Sequence, residues 1–316
     1  ESMSKSIVAI FDDKLNEEIF RKYKTKEISE SFVSSYLYAL CHKDVSKYQT
    51  WAEQIISESQ DMAVVLYAPG YIKGLADIAE KTNEVVKNSY WKNIRYWTKE
   101  DADRIVRGLI SANRYSDALE IVAYDRNMIH LSDVDVAQVM LDYLTNDSVK
   151  SRPNDIYSIT TILEDLDNSE DPNVTRPLIF VEFILYRSLE HQMDVSKLRF
   201  TKELSRNPEL MIQLVELASL PDGKEVTQAE ISTVINRRPL VESACHILFF
   251  GRNLVSFNNE EGVFDGEFMK CYVEQLYRLA KERNRSETID MVVGNILGDI
   301  PRDENYPPQA LCQLVD

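Results

Sequence analysis

Carboxylates, four histidines and four cysteines are the residues of this chain with chemical potential. The most suggestive spacing is acidic. Asp12-Asp13 is followed by Glu17 and Glu18, and Asn154-Asp155 is followed by Ser158. Oxygen ligands at such spacings hold magnesium only when they converge on one point. The second run ends badly for that purpose. Ile162 stands where a closing Glu is needed, and the nearby Glu164 lies about 200° further round a helix. His42, His130, His191 and His246 form neither HExxH nor a Cys/His cluster at ligand spacing. Cys41-His42 and Cys245-His246 are sequence neighbours, about 100° apart on a helix, so neither pair chelates well. Phosphate loops of the GxxxxGK and GxGxxG types are absent, and so is a GxSxG elbow. No catalytic residue, cofactor site or metal ligand is assigned on these grounds.

The two acidic runs resemble the DDxxD/E and NDxxSxxxE motifs of class I terpenoid synthases. That resemblance implies a magnesium-dependent, all-helical enzyme acting on a diphosphate, and it is the catalytic alternative for this chain. The terminal Arg-Tyr pair of that family is missing.

Two groups of residues point to binding. Tyr90, Trp91, Tyr96 and Trp97 fall within eight residues, beside Lys92, Arg95 and Lys99. They are either core anchors of a helical hairpin or the lining of a partner groove, since Trp, Tyr and Arg dominate interface hot spots. The second group is acidic. Between His130 and Asp171 stand ten acids and two bases, which accounts for half of the chain's net charge of -16. Asp165, Asp167, Glu170 and Asp171 are its densest part. Nucleic acid is repelled by such a face, because backbone binding needs clustered Lys and Arg. A basic protein partner is attracted to it, although a solvated helix surface is the simpler reading.

The elements that position these residues are helical throughout. Only 9 of 316 residues are Gly, against a usual share of roughly 7%. Ala102, Ile105, Val106, Leu109 and Ile110 repeat at the spacing of one buried helical stripe. Tyr115, Ala118, Leu119 and Val122 predict the next helix. Val136, Ala137, Met140, Leu141 and Leu144 predict a third. Late in the chain, Met269, Tyr272, Val273, Leu276 and Ala280 mark one helix. Ile289, Val292, Val293, Ile296, Leu297 and Ile300 mark another, stopped by Pro301. Leu178 to Leu189 and Leu240 to Phe250 are apolar nearly all round, which predicts buried helices, with Pro177 and Pro239 at or just before their starts. The best apolar run, Leu178 to Tyr186, is interrupted by Glu182 and is too short for a membrane span. Asn207 as N-cap and Pro208 at N1 start a further helix.

The expected fold is therefore all-α. Stacked antiparallel hairpins form a degenerate tetratricopeptide- or HEAT-like α-solenoid, with Asn113 to Val122 resembling the turn and second helix of such a hairpin. The loop at 146–155 divides residues 1–150 from residues 151–316, unless the solenoid runs on without a break. No signal peptide is visible at the first residues. Three of the cysteines, Cys41, Cys245 and Cys271, lie in apolar helical patterns, which suits buried free thiols in a reducing cytoplasm.

The C-terminal half resembles the helical-repeat regions of large bacterial STAND-type signal-transduction ATPases and related anti-phage defence proteins. Residues 202–218, 262–268, 272–290 and 292–308 carry the resemblance, as does Asp101 to Val122 upstream. It implies a sensor or scaffold that recognises another protein, with the effector elsewhere in a larger protein. The expected function is thus protein recognition without catalysis. A structural oligomerisation module is the remaining alternative, and a large exposed apolar patch is its sign.

Overall fold

Helix ends, rather than glycine-rich turns, set the path of this chain. The computed structural model describes residues 13–59, 70–94, 97, 99–145, 153–218, 237–251, 254–258 and 263–298. Among them are fifteen α-helices and no strand, so the chain is all-α. Asn258 and Phe264 form an isolated antiparallel bridge. No helix among the described residues is long and apolar enough to cross a membrane.

The chain divides into two compact units, Glu1–His130 and Leu131–Asp316. Unit 1 holds α1 (Asp13–Lys24), α2 (Glu30–Lys43), α3 (Val45–Ser59), α4 (Lys73–Lys81), α5 (Glu84–Asn93), α6 (Ala102–Ser111) and α7 (Tyr115–Asp125). Within the unit each helix packs on the next. Unit 2 holds α8 (Asp133–Thr145), α9 (Pro153–Asp165), α10 (Pro172–Leu189), α11 (Arg199–Arg206) and α12 (Pro208–Ala218). It ends with α13 (Arg237–Phe250), α14 (Gly266–Glu282) and α15 (Ser286–Gly298). Here neighbours two apart in sequence also meet: α8 packs on α10, α12 on α14 and α13 on α15.

The boundary falls at 130/131 and not at the expected 150/151. Two hydrogen bonds explain the difference. The His130 amide donates to Asp103 Oδ1 at 2.8 Å, and Arg107 Nη2 donates to the His130 carbonyl at 3.1 Å. They tie His130 to α6. The next helix, α8, buries Val136, Ala137 and Met140 and lies along α10, so it belongs with the C-terminal unit.

Most expected stripes are buried. Ile105, Val106 and Leu109 of α6 are fully covered, as are Met269, Leu276 and Ala280 of α14 and Ile289 and Val292 of α15. Leu141 and Leu144 are only half-buried, and Val139 and Tyr143 face the core of α8 instead. The start of α10 also differs from expectation. Asp171 caps it, accepting from the Asn173 amide at 2.8 Å, and Pro172 opens it. Pro177 therefore lies inside the helix, where it removes one backbone donor. Pro239 sits in the first turn of α13, as anticipated. Among the described thiols, Cys41 is buried, Cys245 is half-buried and Cys271 is exposed, so the expectation of burial fails for Cys271.

Scarce glycine is replaced at hairpin turns by asparagine. Asn113 ends α6 with φ 58°, and Asn284 ends α14 with φ 56°. Asn tolerates this left-handed conformation better than most residues. In both turns the next residue is Arg, whose amide closes the helix: Arg114 to the Leu109 carbonyl at 2.9 Å, Arg285 to the Ala280 carbonyl at 2.7 Å. The following helices, α7 and α15, then bury equivalent stripes, Ala118, Ile121 and Val122 in one and Ile289, Val292 and Val293 in the other. One hairpin design thus occurs in each unit.

Candidate functional site

The aromatic cluster of unit 1 is mostly interior. Tyr90 and Trp91 are each 1% exposed. The Tyr90 ring meets Trp91 edge-on at 5.1 Å, and Tyr71 stacks on Trp91 at 6.3 Å. The Tyr90 hydroxyl donates to the Ile72 carbonyl at 3.2 Å and accepts from the Ile72 amide at 3.3 Å. Burial pushes the Tyr90 hydroxyl far above its ordinary pKa, so it stays neutral. Arg114 reaches across the turn and donates to the carbonyls of Trp91 and Ile94 while pairing with Asp117 at 2.7 Å. Trp91 also fills the space left by Gly108, where an added Cβ would lie 2.2 Å from the indole. Tyr90 and Trp91 are therefore core anchors, the first of the two expected readings, and do not line a partner groove. Trp97 is half-buried, and Tyr96 lies outside the described residues.

The acidic group is placed differently. Asp165 ends α9, and Asp167 and Glu170 lie on the loop leading to Asp171, the N-cap of α10; all four carboxylates are exposed. Asp167 is 3.8 Å from Lys202 Nζ, with both side chains about half exposed, so the attraction is weak and screened. Asp171 uses one oxygen on its own helix end, which gives it a structural duty besides its charge.

Behind this loop is a cavity of about 360 Å³ in unit 2. Leu163 of α9, with Met193 and Leu198 from the connection to α11, supplies its apolar wall. Four acids line it: Glu164 and Asp167 from the α9 side, Glu182 of α10, and Asp194 from the connection. Lys197 is the one cation of that lining, and Gln192 adds a neutral polar group. Asp194 accepts from the Ser196 hydroxyl at 2.7 Å and amide at 3.1 Å, and these bonds hold its carboxyl below the usual range, hence ionised.

Glu182 is the unusual member, only 2% exposed. Its Oε2 accepts from the Phe200 amide at 2.7 Å. Burial nevertheless pushes its pKa up to about 7, although the Phe200 amide and the charges of Arg199 and Lys202 pull the other way. Composition and spacing single out the acidic stretch but not Glu182, whose one signal is a lone acid inside an otherwise apolar helix.

Among the described residues no group of three His, Cys, Asp or Glu side chains is placed to hold a metal ion. Of the terpenoid-synthase-like pattern, Glu17 and Glu18 lie on α1 and Asp155 on α9. Asp155 is buried and accepts from the Tyr143 hydroxyl at 2.9 Å. The cavity suits a positively charged organic group: apolar walls for a stem, and several carboxylates for a diffuse charge. Comparisons with protein-family models, with curated proteins and with solved structures return no match to this chain.

Proposed function

We propose that this chain is a non-catalytic protein-recognition module, a sensor or scaffold belonging to a larger bacterial defence or signalling protein. Its helices are read as degenerate tetratricopeptide- or HEAT-like hairpins. The turn shared by Asn113-Arg114 and Asn284-Arg285 supports that reading, as does the packing of α12 on α14 and α13 on α15. A cytoplasmic location belongs to the same proposal and rests on the free thiols of Cys41, Cys245 and Cys271.

The observation that carries the proposal is the exposed acidic loop of unit 2, with Asp165, Asp167, Glu170 and Asp171 on one short segment and Asp167 continuing into the cavity. Charge of one sign beside a concavity steers and orients a partner of the opposite sign. The partner is accordingly a protein with a basic surface. Affinity capture from bacterial cells, with and without phage infection, tests this reading when wild type is compared with a D165K/D167K/E170K variant. A stoichiometric partner held by wild type and lost by the variant is the expected result. Equal capture by both proteins contradicts it.

A further inference from the structure

The cavity beside Glu182 has a chemistry of its own. The Glu182 carboxyl is almost wholly buried, and only one of its oxygens has a hydrogen-bond donor, the Phe200 amide. The other oxygen has no such partner among the described residues, and the side chain forms part of the cavity wall. One oxygen is thus held by the fold, and the other opens on a space of about 360 Å³, where an entering cation meets it. Cations already stand nearby, since the charges of Arg199 and Lys202 act on Glu182 and Lys197 lines the cavity, but among the described residues none of them hydrogen-bonds or ion-pairs with its carboxyl.

We infer that the Glu182 cavity is a pocket for a single cationic side chain, Arg or Lys, presented by the partner protein. Its stem lies along Leu163, Met193 and Leu198, and its charge meets the free oxygen of Glu182. A bare metal ion fits poorly, because the surrounding carboxylates do not converge as its ligands must. The inference rests on the recognition reading above and deepens it, assigning the exposed loop to attraction and the buried Glu to specificity.

The test uses the full chain and a fluorescent peptide, Lys-Lys-Gly-Arg-Gly-Lys-Lys, against the same peptide with citrulline at its centre. Citrulline keeps the shape of Arg and loses its charge. Anisotropy titrations at low salt are run on wild type, on E182Q, on Q192W as a block at the cavity mouth, and on D165K/D167K/E170K. Gln at 182 still offers an oxygen to the Phe200 amide, and Gln192 is exposed, so one fold failure does not remove the test. Wild type is expected to prefer the Arg peptide about tenfold, a gap that closes in E182Q and Q192W. The loop variant weakens both peptides alike.

Equal binding of the two peptides to wild type, with the loop variant still weakening both, overturns the pocket and leaves the recognition reading standing. No binding of either peptide to wild type overturns both. Displacement of the peptide by free spermidine at equal concentration assigns the pocket to a small soluble cation and overturns the side-chain assignment.

Discussion

Glu182 Oε2 accepts the Phe200 amide at 2.7 Å, so a residue in the middle of α10 caps the first turn of α11. The local residue at that position, Leu198, has no side-chain acceptor to offer and makes no capping bond. The link joins two helices that already pack together, and it keeps a carboxyl inside the protein.

The first prediction concerns pH. Glu182 has a folded pKa near 7, above the ordinary Glu value, so between the two the folded state holds a proton that the unfolded state has released. Stability from this group is therefore highest at low pH and declines as pH rises to about 7. The whole change is about 3 kcal/mol, reduced by local relaxation. Urea unfolding of wild type and E182Q at pH 5 and pH 8 measures it. The advantage of E182Q over wild type should grow between those pH values, and an unchanged difference would refute the buried-acid account. E182A, which leaves the Phe200 amide without an acceptor, should lose about 1–3 kcal/mol even at pH 5.

Two glycines should respond in opposite ways. An added Cβ at Gly108 meets the buried Trp91 indole at 2.2 Å, and the ring is boxed in by Tyr71 and Tyr90. G108A should cost about 1–3 kcal/mol despite its better helix propensity. At Gly74 the nearest atom, at 1.7 Å, is the end of the Gln49 side chain, which can swing away. G74A should be neutral or stabilising by up to about 1 kcal/mol. Thermal unfolding of both variants checks the contrast, and equal behaviour would argue against the Trp91 packing.

The acidic loop separates into charge and structure. Asp171 accepts from the Asn173 amide at the start of α10, so D171A should lower stability by about 1 kcal/mol. Asp167 and Glu170 are exposed, and their reversal to Lys should change stability by less than about 0.5 kcal/mol. A set of three single-variant denaturation curves distinguishes these. A larger loss from Glu170 than from Asp171 would contradict the capping assignment.

Helix stripes were legible in the sequence wherever one face alone is buried. The stripes of α6, α14 and α15 are of that kind, and their apolar spacing leaves little choice of orientation. A proline suits a helix start on local grounds, so Pro177 reads as one, whereas the Asp171 cap and Pro172 begin α10 five residues earlier. Tyr90 and Trp91 look the same on a core face and at an interface, and only Gly108, Tyr71 and Ile72 folding around them decide the matter. The exposed acids were legible as charge. The cavity was not, because its wall comes from α9, α10 and the connection to α11, and no spacing along the chain brings Glu164, Glu182 and Asp194 together.

The most direct test of recognition through this face is a binding measurement with the basic peptide on wild type and on D165K/D167K/E170K, at about 50 mM salt, where screening is modest. The account predicts at least a tenfold loss of affinity in the variant, with its circular dichroism unchanged. Equal affinity of the two folded proteins would contradict it.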